Sequence, residues 1–346
     1  MVARFELMQE LALILNRKRV RRGSIDFDLP EPLLEFDEFG EMTGVTRAPR
    51  NIAHRLIEEF MLAANEAVAS HLEAAGVPMI YRIHERPDPK RVLEFEDIAA
   101  HFGYSLSAGA APVKRCKDTT VALDNPNLTS RSYQKLVAKI AGKPEERILS
   151  YLMLRSLKQA RYSEQNVGHF ALAAASYTHF TSPIRRYPDL MVHRALAGLM
   201  DNSAYEANMR RIADASSESE RRAAEAEREL VEWKKVKFMI DRVGDEFAAL
   251  IISTTRFGFF AELEEMFIEG LVPMETIQGD RYRYHENTRR IIGERSRKQL
   301  SIGDKVRVRL DRVDAVEKKL QFSLIQPGRD AHLGGRGAKR SRKRVE

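Results

Sequence analysis

The 346-residue sequence is poor in the residues that build several common kinds of functional site. Its single cysteine, Cys116, excludes an internal disulfide framework and a cysteine-rich zinc site, and favours a reducing, cytoplasmic setting. No run of about 18 apolar residues occurs, so a membrane-spanning helix is excluded and no membrane partner is expected. The N-terminal segment lacks the continuous apolar core of a secretory signal.

Charge of both signs is present but unevenly distributed. Lys and Arg number 57 and Asp and Glu number 50, which gives a formal net charge of +7. From Arg329 to Glu346, seven basic residues accompany two acidic ones, so this short tail carries most of the excess. A Gly-rich basic tail on a nearly balanced body favours an arm that binds a polyanion such as nucleic acid. The alternative is a disordered tail that serves solubility.

Hydrophobic periodicity predicts a helical first part and a strand-rich second part. Helices are predicted at about 5–20, 51–75, 92–102, 131–141, 145–159 and 204–240. Short strands are predicted at 77–84 and at Ile25–Leu29, where Pro30 and Pro32 would end the strand. A small β-barrel is predicted from alternating segments at 248–255, 258–263, 305–313 and 320–325. The domain boundary is predicted near 242–244.

The most informative segment is GHFALAAASYTHFTSPIRRYPDLMVHRAL, residues 168–196. Ser182 followed by Pro183 is typical of a helix start, where free backbone N–H groups would face an anion. Arg185 and Arg186 add the forked donors that match phosphate oxygens. The segment predicts a phosphate-and-base pocket, against the plainer alternative of a capped helix with two surface arginines.

Aromatic side chains surround these arginines in the sequence. Tyr177, His179 and Tyr187 can stack on bases or pack on sugars, although buried tyrosines are the alternative. His193 lies on the apolar face of the following helix and is predicted to be a core histidine.

The run YTHFTSPIRRYPDLMVHR is similar, without a gap, to the signature of the ribonuclease II / ribonuclease R (RNB) family of processive, hydrolytic 3′-to-5′ exoribonucleases. The resemblance extends through RGSIDFDLPEP, RNIAHRLIEEFMLAANEAVA, MIYRIHERP and SERRAAEAERELVEWKK. VGDEFAALIISTTRFGFFAELEEMFIEGLV resembles the S-one type OB-fold that closes these enzymes. The implied fold is α+β. Residues 1–242 would be the C-terminal part of an RNB-type catalytic domain, mostly helical with short strands. Residues 243–326 would be the OB-fold and 327–346 a disordered basic tail, as in ribonuclease R.

The resemblance also implies roles for single residues in the central segment. Arg185 matches the catalytic arginine that holds the scissile phosphate and offsets charge in the transition state. Arg186 would support the adjacent phosphate. The other residues expected to line the pocket for the last nucleotides are Tyr177, His179, Thr181, Ser182 and Tyr187.

Two glutamates outside this segment match family positions. Glu227 matches a glutamate close to the 3′ end of bound RNA, and it shares a stripe with Ala223 and Leu230 that is predicted to face inward. Glu58 resembles a glutamate that contacts the terminal ribose, but Glu59 fits the same register. An ordinary exposed pair of acids is the alternative.

In the barrel, Phe257 and Phe260 resemble paired aromatics on which bases stack, with Arg256 beside them for phosphate. Phe259 is expected to fill the barrel interior. The family often has His after Gly-Leu-Val, where this sequence has Pro273, and that departure weakens the aromatic platform. Three residues of the next segment are expected to compensate: Tyr282, Tyr284 and His285.

The family's magnesium-binding aspartate cluster, of the form D-x(several)-D-x-D-D, is not found in this sequence. Two hard cations about 4 Å apart need several closely spaced oxygen ligands. Asp26 and Asp28 are the nearest imitation, and we expect them to be solvent-facing carboxylates. Mg²⁺ is therefore expected for the complete enzyme but not for this chain alone. The chain resembles the C-terminal portion of the enzyme, whether through an internal start, a split gene or a truncated record, and the N-terminal part would be a partner.

The sequence is consistent with three functions. The first is an exoribonuclease that hydrolyses single-stranded RNA to 5′-mononucleotides, with an active site shared with or truncated from an N-terminal part. The second is a non-catalytic RNA-binding module, and the third is a helical protein–protein adaptor suggested only by residues 204–240. We expect the isolated chain to bind RNA with little or no cleavage.

Overall fold

A computed structural model describes most of the chain, and Cys116 and the basic tail lie outside the described residues. The described ranges are 2–27, 32–106, 128–201, 208–286 and 288–325. They fall into two compact units. The first unit comprises Met1–Glu31 with Arg47–Arg228, and the second comprises Pro32–Thr46 and the chain from Glu229 onward. This division falls within a helix, and the domain boundary near 242–244 stays a prediction.

Seven α-helices occur in the described ranges. They are α1 (Val2–Arg22), α2 (Ile52–Ala74), α3 (Pro89–His101), α4 (Ser130–Ile140), α5 (Glu146–Ser156), α6 (Tyr187–Met200) and α7 (Met209–Met239). The start of α2 shows why the bounds are sharp: the Asn51 side chain accepts hydrogen bonds from the N–H groups of Ala53 and His54, which satisfies donors that a helix start leaves unpaired. The first five predicted helices are confirmed with ends that differ by at most three residues, and the helix predicted at 204–240 is confirmed from Met209, residues 204–207 lying outside the described residues.

Twelve strands complete the regular structure of the same ranges. They are β1 (Pro32–Phe36), β2 (Met42–Arg47), β3 (Tyr81–Ile83), β4 (Arg161–Ser163), β5 (Glu246–Thr255), β6 (Gly258–Leu263), β7 (Glu269–Pro273), β8 (Tyr282–His285), β9 (Arg290–Gly293), β10 (Gln299–Leu300), β11 (Lys305–Asp314) and β12 (Lys319–Leu324). Helices and separate antiparallel pairs together make this an α+β fold, as predicted.

In the first unit, β3 and β4 form a short antiparallel pair. A buried apolar cluster joins α2, β3 and α6 through Leu72, Ile83 and Val192, among others. The strand predicted at 77–84 is therefore present only at Tyr81–Ile83, toward its C-terminal end, where a partner strand exists.

The strand predicted at Ile25–Leu29 is wrong over its described residues, 25–27. The Ile25 N–H donates to the Ala171 carbonyl at 2.7 Å, and the Asp26 carboxylate accepts from Arg50 at 3.0 Å. An alternating segment becomes a strand only when a neighbouring strand pairs with it through a ladder of backbone hydrogen bonds. Residues 25–27 have no such partner strand in the described part of the chain and make only these separate contacts. Pro32 begins β1 rather than ending a strand, and Asp28, Leu29 and Pro30 lie outside the described residues.

The second unit contains a closed five-stranded barrel in the order β5–β6–β7–β12–β11–β5. Only the β7–β12 contact is parallel, and this order is that of an OB-fold. Phe259 and Phe322 are fully buried inside it, so the prediction that Phe259 fills the barrel is confirmed. Gly258 has a φ of +146°, and a Cβ there would lie 2.1 Å from the Val272 carbonyl, so the tight β5–β6 turn requires glycine.

The strands between β7 and β11 form a separate antiparallel sheet in the order β10–β9–β8, and β1 pairs with β2. Within the described ranges, no helix combines the length and the apolar character needed to cross a bilayer.

Candidate nucleic-acid interface

A cleft of about 900 Å³ opens in the first unit, and it contains four residues predicted for the site. Its lining comes from the loop that leads into α6 with the first turn of α6, from the segment between Asn208 and Glu227 that includes most of α7, and from β4. The predicted residues that line it are Arg185, Arg186, Tyr187 and Glu227. The structure thus brings together side chains that are up to 42 positions apart in the sequence.

The helix that the sequence places at Ser182–Pro183 begins one turn later. Its first residue is Tyr187, with Arg186 as the N-cap and Pro188 in the first turn. Both prolines suit a first helical turn, and the structure uses the second one. Residues 183–185 form a turn instead.

This turn uses the backbone amides that were predicted to face an anion. The N–H groups of Arg185 and Arg186 donate to the Ser182 carbonyl at 3.3 and 3.1 Å. The Ser182 N–H donates to Asp189 Oδ1 at 2.9 Å. The loop therefore offers an anion its guanidinium groups rather than free amides.

The two arginines are held differently. Arg186 Nη2 donates to Asp189 Oδ1 at 2.6 Å, and the Asp189 side chain is 0% exposed. Because a buried carboxylate is costly unless it is paired and hydrogen-bonded, this contact fixes Arg186 in one orientation. Arg185 is exposed at the cleft. One cation is thus positioned by burial, while the other is accessible to a ligand.

Three buried polar atoms beside this pair have no hydrogen-bond partner among the described residues: Thr181 Oγ1, Arg186 Nε and Asp189 Oδ2. Buried polar atoms are nearly always paired in folded proteins. The loop therefore has polar atoms next to the cleft that the described residues do not pair.

Tyr162 of β4 lines the cleft and is fixed from two sides. The Arg82 guanidinium lies 4.7 Å from its ring centroid and pairs with Glu220 of α7 at 2.5 Å. Tyr162 Oη lies 2.8 Å from His179 Nδ1. Burial raises the pKa of Tyr162 to about 12, so the phenol is neutral at ordinary pH.

In the second unit, Phe260 lines a groove of about 470 Å³ on the barrel. Three cations share that groove: Arg312, Lys318 and Lys319. Phe257 is 56% exposed in the β5–β6 turn, with the Arg256 guanidinium 5.9 Å from its ring centroid. In OB-folds the second and third strands and the loops between strands 1–2 and 4–5 bind oligonucleotides. Phe260 lies on the second barrel strand, Arg256 and Phe257 lie in the first of these loops, and Lys318 lies in the second.

Two domain families match the chain, and they divide it in order. An RNB domain matches residues 1–202, and an S1 RNA binding domain matches residues 240–325. The chain belongs to the RNB family.

Several relatives of the chain are ribonucleases R. The chain is 42% identical to ribonuclease R of Aquifex aeolicus, covering 94% of this chain and 45% of that protein. It is 36% identical to that of Escherichia coli, covering 99% and 42%. The structure of Mycoplasma genitalium RNase R in complex with ribose-methylated single-stranded RNA has a TM-score of 0.83 at 25% identity, covering 94% of this chain and 50% of that one. The chain spans half or less of the length of these relatives.

Tyr177 and His179 support the RNB loop rather than line its cleft. Tyr177 is buried and its hydroxyl accepts from Asn65 Nδ2 at 3.0 Å, while Asn65 Oδ1 accepts from the Phe180 N–H at 3.0 Å. Burial, with the charges of nearby arginines, lowers the pKa of His179 to about 3. Neither ring is in the lining of this cleft, and their contact with the last nucleotides stays a prediction. Thr181 and Ser182 are half-buried and also lie outside its lining.

The glutamates predicted for the site separate into two kinds. Glu58 is half-exposed and pairs with Arg50 at 3.1 Å. Glu59 is buried and pairs with Arg19 at 2.6 Å. Glu58 is therefore the accessible one of the two, but neither lines the Arg185 cleft.

The stripe of α7 that includes Glu227 does not pack inward as predicted. Ala223 and Glu227 line the open cleft, and Leu230 is 57% exposed. A long helix with few apolar residues can present such a stripe to a cleft rather than to a core.

Tyr282 and Tyr284 do not form an exposed aromatic platform. Both are partly buried against the barrel core, and His285, the third residue expected to compensate, is exposed. Side chains alternate between the two faces of a strand, so the tyrosines point inward while their neighbours point outward. His193, predicted to be a core histidine, is half-buried at the edge of the core: its Nε2 lies 2.9 Å from the Phe180 carbonyl and its ring stacks on Phe180.

Membership of the RNB family suggests a divalent metal cofactor for the full enzyme. Among the residues that the structure describes, no group of three or more His, Cys, Asp or Glu side chains could hold a metal ion. The described donor set therefore does not fit such a site.

Sequence reasoning missed four residues of this site: Arg82, Tyr162, Asp189 and Asn65. Asp189 lies three residues after Arg186, a spacing at which helical side chains meet, and that spacing was the available signal. Asn65 is a buried polar residue within an apolar helix stripe, which usually marks a specific hydrogen bond.

Proposed function

We propose that this chain is the RNA-binding part of a ribonuclease R-like exoribonuclease, which degrades single-stranded RNA processively from its 3′ end to 5′-mononucleotides. One observation carries the proposal: exposed Arg185 and anchored Arg186 share a cleft with Glu227. The S1 RNA binding domain match and the RNA complex of a structural relative support it. A cytoplasmic location stays a prediction.

Each residue of the cleft would contact a different part of the RNA. Arg185, accessible and forked, would hold the phosphate that is cut and offset the charge that develops there. Arg186, fixed by Asp189, would hold the neighbouring phosphate. Glu227 would accept hydrogen bonds from ribose hydroxyls at the 3′ end, since a carboxylate accepts and a ribose donates. Tyr187, exposed at the start of α6, would contact a base or sugar.

A ribose contact by Glu58 is supported by fewer observations than the one by Glu227. Its carboxylate already pairs with Arg50 and lies outside the cleft lining. RNA binding through Glu58 would have to replace part of that ion pair.

The barrel would hold the RNA upstream of the cut. Phe260 and Phe257 offer rings on which bases stack, and Arg256, Arg312 and Lys319 offer cations to phosphates. Stacking tolerates any base, so this face would add affinity without strong sequence preference.

Hydrolysis by the whole enzyme would use Mg²⁺ held by carboxylates that the described residues do not supply. Such an ion would activate water and stabilise the leaving oxygen. The residues of the cleft would bind and orient RNA.

The same observation on carboxylates favours a second candidate, a non-catalytic RNA-binding module. Incubation of the purified chain with end-labelled single-stranded RNA and Mg²⁺ separates the two. We expect bound but intact RNA from this chain alone, with activity only when the N-terminal part is supplied. Robust release of mononucleotides that EDTA stops would show that the chain itself carries a complete site. RNA affinity without a steep dependence on salt would instead favour a protein-binding adaptor.

A further inference from the structure

The sheet formed by β8, β9 and β10 has two chemically different faces. In its register Arg283 lies opposite Ile292, His285 opposite Arg290, and Gln299 opposite Ile292. Directly opposed residues project from the same face of a sheet. These five side chains therefore share one face.

The other face belongs to the barrel core. Ile291 and Leu300 are buried members of the core cluster, and Tyr282 and Tyr284 pack against it. The face that carries Arg283 and Arg290 is consequently the outer one. The tyrosines predicted to form an aromatic platform therefore face the core, and the outer face of the sheet is basic.

The charge of this segment is strongly one-sided. Residues 280–298 contain seven basic and three acidic side chains. The Asp280 carboxylate accepts from the N–H groups of Arg281, Arg295 and Ser296, so it satisfies the backbone of a turn. The bonds from Ser296 foremost lower the pKa of Asp280 to about 2. Glu294 lies 3.4 Å from Arg283, whose side chain is still 69% exposed.

Both turns of the sheet hold arginine in an unusual conformation. Arg289, between β8 and β9, has a φ of +49°, and Arg297, between β9 and β10, has a φ of +56°. Glycine or asparagine adopts this left-handed region more readily than arginine does. Backbone strain of this kind concentrates at functional sites, and here it places an exposed cation at each turn.

We propose that the outer face of the β8–β9–β10 sheet is a further RNA contact of this chain, beside the Arg185 cleft and the Phe260 groove, which binds the phosphodiester backbone without reading bases. Arg283 and Arg290 would hold phosphates, and Gln299, which accepts from Arg290 at 3.1 Å, would orient that guanidinium. Apart from the imidazole of His285, the face carries no ring on which a base could stack, whereas forked donors match phosphate oxygens. None of its residues lines the Phe260 groove, so the two contacts are separable.

This inference rests on the proposed RNA-binding function, and the salt dependence of RNA affinity tests it. Affinity of the full chain for a fluorescent single-stranded oligonucleotide is measured between about 50 and 200 mM salt. Each phosphate contact on a single strand contributes about 0.7 to the slope of log affinity against log salt. Arg283→Ser with Arg290→Ser is expected to reduce that slope by about 1.4 and to weaken binding roughly tenfold at the lowest salt.

Matched variants distinguish the loss of this face from a general loss of positive charge. Lys90→Ser with Arg91→Ser removes the same charge from exposed positions of α3 and should change the slope little. Arg283→Lys with Arg290→Lys keeps both charges and should retain most of the slope. Arg283→Ser alone, expected to lower the slope by about 0.7, serves if the double variant fails to fold.

An unchanged slope in the Ser variants, with wild-type binding intact, overturns this inference and leaves the proposed function standing. Absence of salt-dependent RNA binding by the wild-type chain overturns the proposed function itself. If the Ser variants bind RNA normally but lose affinity for polyglutamate, the face binds an acidic protein and the inference is wrong.

Discussion

The Arg185 cleft and the Phe260 groove combine the same kinds of side chain, cations and aromatic rings, in opposite ways. At the cleft two of the three tyrosine rings, Tyr162 and Tyr177, are buried while Tyr187 is exposed, and one cation is fixed by a fully buried carboxylate. In the barrel groove the ring of Phe260 is accessible, and Lys319 belongs to an exposed ion pair.

This difference suggests that the Arg185 cleft and the Phe260 groove have different functions. A cation fixed by buried hydrogen bonds needs no reorganisation when charge develops on a ligand, which suits a site of chemistry. Exposed cations and rings bind a chain at many equivalent positions, which suits affinity and sliding. Four predictions test the contrast, in order of expected effect.

Removing the buried carboxylate should have the largest effect. Asp189→Ala leaves the half-buried Arg186 without its partner and the Ser182 N–H without its acceptor. We expect the free energy of unfolding, measured by urea denaturation, to fall by about 3–5 kcal/mol. Glu317→Ala in the barrel breaks an exposed pair with Lys319 and should change stability far less. Equal losses from both variants would contradict the contrast.

Arg185 should affect turnover rather than folding. In an RNA-degrading enzyme that contains this chain, Arg185→Ala should lower kcat by about 10²–10³, the usual effect of removing one donor to a developing charge. RNA affinity should fall only modestly. Arg194→Ala, at an exposed position of α6 outside the cleft lining, is the control. If affinity fell while turnover per bound RNA did not, Arg185 would be a binding residue.

The helical elements, the barrel and the pair of arginines could be predicted because each depends on local pattern. The start of α6 could not, since Pro183 and Pro188 fit a first turn equally well. The burial of Tyr177 depends on Asn65, 112 positions earlier in the chain. Alternation in β8 is visible in the sequence, but the face that the barrel covers is decided by tertiary packing.

His179 should make the free energy of unfolding of the chain depend on pH. The pKa of His179 is about 3 in the folded chain, lowered mainly by burial, against about 6.5 when unfolded. Between these values the unfolded chain binds a proton that the folded chain does not, so stability is lost as pH falls below about 6.5.

From about pH 7 to about pH 5 this histidine should cost about 1–2 kcal/mol of unfolding free energy. His179→Gln should remove that part of the pH response. Parallel stability curves for the variant and the wild type would show that burial does not keep His179 neutral.

The smallest effect is expected for a single ring in the barrel. Phe260→Ala removes one stacking surface from the groove and should weaken binding of single-stranded RNA by about 1–2 kcal/mol, as measured by fluorescence titration. The slope of affinity against salt should stay unchanged, because no cation is lost. Phe39→Ala is the matched control, since that ring is 82% exposed in the β1–β2 turn and lies outside the groove lining. If both variants weaken RNA binding equally, exposed aromatic surface in general, rather than the barrel groove, contributes the stacking energy.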